Sequence, residues 1–173
     1  MDIRFVTAVL DISLQPLDGR NDEAFRREYK ILSDFEENAV GEWIKLAKAR
    51  GETNETDEVL LRLLVELHKK VDDLTAIVKH EERELLDLDL DAHICGVGFD
   101  FIKLEESLFE KEKDYYCRVQ MPVFPKRDMP MFLRVVSENI AQIVLIHETD
   151  QKDWNSYVVA RERIEIREKR DNI

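Results

Sequence analysis

The stretch Leu86-Asp-Leu-Asp-Leu-Asp-Ala-His-Ile-Cys-Gly-Val-Gly-Phe99 decides how the rest of the chain is read. Its period is two: Leu86, Leu88, Leu90, Ala92 and Ile94 point one way, while Asp87, Asp89, Asp91, His93 and Cys95 point the other. That alternation is the pattern of a half-buried strand with an acidic outer face. Gly96 and Gly98 follow in a chain with only five glycines, and so mark a sharp turn or bulge. Downstream, residues 99–104, 115–121, 131–138 and 140–147 read as further strands, with Pro122, Pro125 and Pro130 forcing an edge or a connection. Upstream, Val6, Ala8, Leu10, Ile12 and Leu14 share one face of a strand over residues 3–14 that ends at Pro16 and Gly19. Six strands of this length suit a small closed, or nearly closed, antiparallel barrel.

Between the first strand and the second the period changes. From Asn21, a residue suited to an N-cap, Phe25, Tyr29, Leu32, Ala39, Trp43 and Leu46 fall at helical spacing, with Glu36 at the one polar seam position or Phe35 in its place. Gly51-Glu-Thr-Asn-Glu-Thr56 then breaks the helix, and Asp57 or Thr56 caps the next. In that second helix Leu60, Leu64, Leu67, Val71, Leu74 and Val78 step by 4, 3, 4, 3 and 4, an unbroken a/d seam. Leu61, Leu63 and Ile77 widen its apolar face, so the helix should touch more than one neighbour. A last segment, residues 150–170, carries Trp154, Tyr157, Val158 and Ile164 at helical spacing behind Asp150 and Asp153, with both tryptophans expected as core anchors.

Composition narrows the function classes. A formal net charge of −12 opposes sequence-independent binding to a nucleic-acid polymer or an anionic membrane, both of which need a basic footprint. No secretory or membrane-spanning stretch is visible, which implies a cytoplasmic protein with reduced thiols. Cys95 and Cys117, with histidines at 68, 80, 93 and 147, have no zinc-ligand spacing, so no metal is expected. The chain has no phosphate loop and no nucleophile elbow. The nearest approach to a dyad, His93 with Cys95, lies among carboxylates that would raise the thiol pKa, so an enzyme is not expected.

Residues 86–170 resemble the PilZ domain, a six-stranded barrel that bacteria use as a receptor module for cyclic di-GMP. The likeness lies in Asp91-Ala-His93-Ile-Cys-Gly96-Val-Gly98-Phe99, similar to the family's Asp/Asn-x-Ser-x-x-Gly element and the strand behind it. It extends to the strand order with a proline-bearing loop, and to the Arg- and Glu-rich ending from Tyr157 to Arg170. The resemblance implies a nucleotide site at Asp91, His93 and Gly96. The family's Arg-x-x-x-Arg pair is not in its usual place. Ahead of the first strand there is only Arg4, the nearest pair elsewhere is Lys79-x-x-x-Arg83, and Arg163-x-x-x-Arg167 lies in the last helix. Arg4 and Arg83 are therefore the candidate phosphate cations.

The expected fold is α+β, a single PilZ-like domain over residues 1–173. Residues 1–18 and 84–148 form the barrel, residues 21–80 an inserted long helical hairpin for oligomerisation, and residues 150–170 a C-terminal helix. The expected function is a non-enzymatic bacterial signalling adaptor, a homo-oligomer of two to four chains that engages protein partners, needs no cofactor and lacks the usual cyclic di-GMP binding. The alternative is a true cyclic di-GMP receptor that uses the 91–96 turn with arginines from elsewhere or from a second subunit.

Overall fold

The computed structural model describes residues 3–34, 39–78, 85–122 and 127–171. The fold is α+β: six antiparallel strands close into a barrel in the order β1-β2-β3-β6-β5-β4, helices are inserted between β1 and β2, and a C-terminal helix follows β6. The strands are β1 (Val6–Pro16), β2 (Leu90–Val97), β3 (Phe101–Leu104), β4 (Asp114–Met121), β5 (Arg127–Ser137) and β6 (Ile140–Ile146). The helices are α1 (Asp22–Asp34), α2 (Ala39–Ala49), α3 (Glu58–Val78) and α4 (Glu148–Asp171). The chain divides into two compact units, Met1–Tyr29 with Asp87–Ile173, and Lys30–Leu86.

In the first unit, the alternation along β1 puts Val6, Ala8, Leu10, Ile12 and Leu14 in the barrel core. They meet Ala92 and Ile94 of β2 and Tyr115, Cys117 and Val119 of β4 there. β2 starts at Leu90 rather than Leu86, and it runs through Gly96 instead of stopping there. The glycine signal marks a bulge: pairing with β3 shifts register between Ile94 and Gly96. A Cβ at Gly96 would come within 3.2 Å of the Phe5 Cβ, and one at Gly98 within 3.2 Å of the Arg4 carbonyl oxygen. Both positions therefore favour a residue without a side chain because neighbours approach closely.

β1 pairs with β4 only from Ile12 to Pro16, which leaves its first half unpaired on that side. α4 meets that edge: Arg161 Nε donates to the Thr7 carbonyl at 3.0 Å. Glu165, held below the usual carboxylate range first by Lys169, also accepts from the Thr7 backbone. Side chains of a helix thus occupy backbone groups that a neighbouring strand would otherwise take. Trp154 is fully buried, and its indole N–H donates to the Gly98 carbonyl at 2.9 Å. α4 begins at Glu148, two residues before the expected Asp150, so Asp150 sits inside the first turn and is buried.

In the second unit, α3 is capped by Asp57, whose carboxylate accepts from the Val59 N–H at 2.8 Å; Asp57 rather than Thr56 fills that role. α2 stops at Ala49, and Gly51 just beyond it has φ +75°. Gly51 N donates to the Lys48 carbonyl and Glu52 N to the Ala47 carbonyl, a Schellman pair that needs the left-handed residue. In the insertion expected as a hairpin of two helices, α1 and α2 lie on either side of residues 35–38; Phe35 and Glu36, the alternative seam residues, lie outside the described residues. α2 and α3 pair through Ile44 and Lys48 on one side and Leu61 and Val65 on the other, which line a common cleft. A Lys48–Glu58 ion pair at 3.2 Å spans the two helices. Trp43, expected as a core anchor, is instead 66% exposed, while Ala47, one turn on, is buried.

Candidate functional site

Three places carry the chemistry that the sequence singled out, or hid. The first is the outer face of β1 and β2. Register sets Asp11 opposite His93 and Ser13 opposite Asp91. His93 Nδ1 lies 2.8 Å from an Asp11 carboxylate oxygen, and the Ser13 hydroxyl donates to Asp91 at 2.7 Å. Gln15 continues the ladder, donating to Asp89 at 2.9 Å and accepting from its backbone N–H at 2.8 Å. All these groups are exposed, so each rung is worth little by itself, and together they display three carboxylates on one surface.

The residues expected to hold a nucleotide do not come together as a cationic site among the described residues. Asp91 and His93 lie on the ladder, each bonded to a β1 side chain. Gly96 lies in the bulge, with Phe5 and Lys103 against its Cα. Arg4 is committed to Glu162 of α4 at 2.7 Å. Arg83 and Lys79 lie outside the described residues. A ligand carrying two phosphate charges would therefore meet Asp11, Asp89 and Asp91 on this face.

The second place was missed by the sequence reading. Even-numbered residues of β4 face out of the barrel, and Tyr116 there joins Phe132 of β5 to make an aromatic platform at 5.2 Å between ring centroids. The first turns of α1 cover it: Phe25 stacks on Tyr116 at 4.8 Å, and Tyr29 meets Phe132 edge-on at 5.5 Å. Among these rings Glu28 is only 6% exposed. It accepts from the Tyr116 hydroxyl at 2.8 Å and from the Arg118 guanidinium at 2.5 Å. Burial, then the Glu28 charge, pushes the Tyr116 phenol well above the usual tyrosine range. Tyr29 stacks on His147, and burial followed by the Asp150 charge raises its phenol to about 12. His147 Nε2 lies 2.9 Å from the Tyr29 carbonyl, an acceptor, so that ring nitrogen carries the proton. Phe25 and Tyr29, expected in a coiled-coil seam, are thus core residues of the first unit. The available signal was Glu28 itself, a carboxylate three residues after Phe25 and next to Tyr29 on an otherwise apolar face.

The third place is α3. Leu60, Leu64, Leu67, Val71, Leu74 and Val78 are all between 51% and 77% exposed. The face of α3 that packs on α2 is the adjacent one, Leu61 and Val65, which are partly buried. Leu63 and Val59 are exposed beside the stripe; Ile77 lies in the part of the helix whose side chains are not described.

Among the described residues no three His, Cys, Asp or Glu side chains are placed to hold a metal ion, and no helix is long and apolar enough to cross a membrane. Cys117 faces the barrel core, where burial raises its thiol pKa, and Cys95 is half-buried. Comparison with family models, curated proteins and solved structures finds no match to this chain.

Proposed function

We propose that this chain is a non-enzymatic adaptor of bacterial signalling in the cytoplasm, with a barrel of the PilZ kind, that assembles two to four copies through α3 and engages protein partners. The observation that carries the proposal is the exposure of all six seam residues along the 21 residues of α3. At 1.5 Å per residue that helix is about 31 Å long, and an apolar stripe of that length on a soluble protein marks an interaction surface. The occupant is a second copy of the chain. Knobs-into-holes packing needs a partner with the same 3.5-residue period over the same length, and α3 itself has it. The other long helix, α4, already spends Trp154 and Val158 on the barrel core.

The alternative function, a cyclic di-GMP receptor, has less support. Its required cations are Arg4, paired with Glu162, and Arg83, outside the described residues, while the 91–96 turn adjoins the carboxylates of Asp11, Asp89 and Asp91. The closed six-stranded antiparallel barrel is compatible with that kinship and specifies no ligand.

The test is the solution mass by light scattering of the wild type and of Leu67→Glu, with calorimetric titration of cyclic di-GMP in the same buffer. The expected result is an oligomer, reduced to a monomer with unchanged barrel circular dichroism by Leu67→Glu, and no heat from the nucleotide. A monomeric wild type overturns the adaptor reading. Saturating heat at micromolar ligand, abolished by charge reversal at Arg4 or Arg83, would establish the receptor reading instead.

A further inference from the structure

We infer that the outward face of α4 binds an acidic helical segment of a protein partner, an inference that rests on the adaptor reading above and names the chemistry of its partner. Charge along the second half of α4 is sorted by side. At 3.6 residues per turn, Glu162 and Glu165 fall on the side of Trp154 and Val158, which pack into the barrel core. Both carboxylates are committed there: Glu162 pairs with Arg4 at 2.7 Å, and Glu165 pairs with Lys169 at 2.9 Å while accepting from the Thr7 backbone. Arg163, Arg167 and Arg170 fall within an arc of about 60° on the opposite side, and all three are exposed. Among the described residues none of their guanidiniums has an ion pair or a hydrogen bond.

A solvated helix face gains from opposite charges three or four residues apart. Here the neighbours at those spacings are of like charge: Arg163 with Arg167, and Arg167 with Arg170. Asp171 is the single carboxylate within that reach of any of them, and it pairs with none. The row therefore acts against its own helix until carboxylates from outside neutralise it. Arginine suits that role, because its planar fork grips a carboxylate with two hydrogen bonds and is less strongly hydrated than lysine. Ile166, 41% exposed, stands between Arg163 and Arg170, an apolar contact inside a charged rim. Spacing selects the form of the partner. The arginines rise in steps of about 6.0 and about 4.5 Å along the axis. A second helix running antiparallel to α4 offers carboxylates at the same steps, from positions i, i+3 and i+7. A strand repeats one side every ~6.8 Å and would match only the first step. The whole chain, at −12, opposes a nucleic acid or an anionic bilayer, whereas a short segment touches the arginine row alone.

The test titrates the full chain into a fluorescein-labelled synthetic helical peptide with glutamates at i, i+3 and i+7 and leucine at i+4, followed by fluorescence anisotropy. An isomer of that peptide with its glutamates spread around the helix is the control. The expected result is saturable binding of the matched peptide, not shared by the isomer, that weakens as salt rises. Arg167→Glu should raise Kd about tenfold, and Arg167→Lys should raise it less. Lys111→Glu, the same charge change at an exposed site outside α4, should leave it unchanged. Circular dichroism of each variant checks the fold. No binding of the matched peptide, equal binding of the isomer, or equal weakening by Lys111→Glu overturns the inference. So does sedimentation with phosphatidylglycerol vesicles, abolished by Arg167→Glu, in a protein that ignores the peptide, since the row then serves a lipid surface. The mass of the same preparation by light scattering separates the two readings: an oligomer that fails to bind the peptide loses only the α4 inference, and a monomer that binds it loses only the α3 assembly.

Discussion

Removal of the Glu28 carboxylate should be among the most destabilising single changes in the barrel unit. The side chains of Glu28 and Arg118 are 7% and 12% exposed, so the pair is desolvated on both sides. Glu28→Ala takes one of two nearby carboxylates, Glu28 and Asp128, from the Arg118 guanidinium and removes the Glu28 acceptor from the Tyr116 hydroxyl. Breaking one side of a buried pair costs about 3–5 kcal/mol, the stranded hydroxyl included. For a chain of this size about 4 kcal/mol lowers Tm by roughly 12 °C. Urea and thermal unfolding followed by circular dichroism would measure both. Glu28→Gln retains an acceptor for Tyr116 and should fall between wild type and alanine. Because part of the penalty is the Arg118 charge, adding Arg118→Met to Glu28→Leu should recover part of the loss, Asp128 losing that cation in turn. A Glu28→Ala loss below about 1 kcal/mol, or a double variant less stable than Glu28→Leu alone, would refute the assignment of Glu28 and Arg118 as a coupled buried pair.

Three further outcomes are expected. Tyr29 is raised to about 12, and Tyr116 and Tyr157 are also raised, above the ordinary value near 10; their stabilisation is intact below pH 10 and is lost as pH climbs through the folded values, so the 295 nm tyrosinate signal of these three should appear together with unfolding. Ionisation of all four tyrosines near pH 10 in a folded barrel would contradict this. Gly98→Ala forces a Cβ to within 3.2 Å of a backbone oxygen that cannot rotate away, and should cost about 1–3 kcal/mol in urea unfolding, with the Trp154 emission shifted to the red. Each copy carries −12, so copies repel, and sedimentation should find tighter self-association as sodium chloride rises and the Debye length falls; weakening with salt would point to an interface of ion pairs instead of the apolar seam.

The barrel was legible because each strand buries one face: the alternation of β1 from Val6 to Leu14 maps residue for residue onto the core. Element ends were less legible. Leu86 and Leu88 continue the alternation without belonging to a strand, and Leu88 packs instead against the cluster around Phe25 and Tyr116. Helical periodicity could identify an apolar face but not what covers it. Phe25 and Tyr29 share their spacing with Trp43 and Leu46, yet the first two are buried on β4 and β5 while the latter two are exposed. The ladder of Asp11, Ser13 and Gln15 with His93, Asp91 and Asp89 depends on strand register between segments some 80 residues apart, which no local pattern encodes.

The contrast between the two apolar helical faces argues for what each is for. The face of α1 carries a carboxylate, and burying it is tolerable only because Arg118 and Tyr116 wait on β4 at matching positions, so this is a surface fitted to one partner within the chain. The stripe of α3 carries no polar group from Leu60 to Val78 along the seam, and nothing in it specifies a uniquely shaped partner; it specifies a spacing. A spacing is satisfied by another helix with the same spacing. The helix of the chain that repeats this spacing over the same length is α3 itself, which makes a second copy the expected occupant.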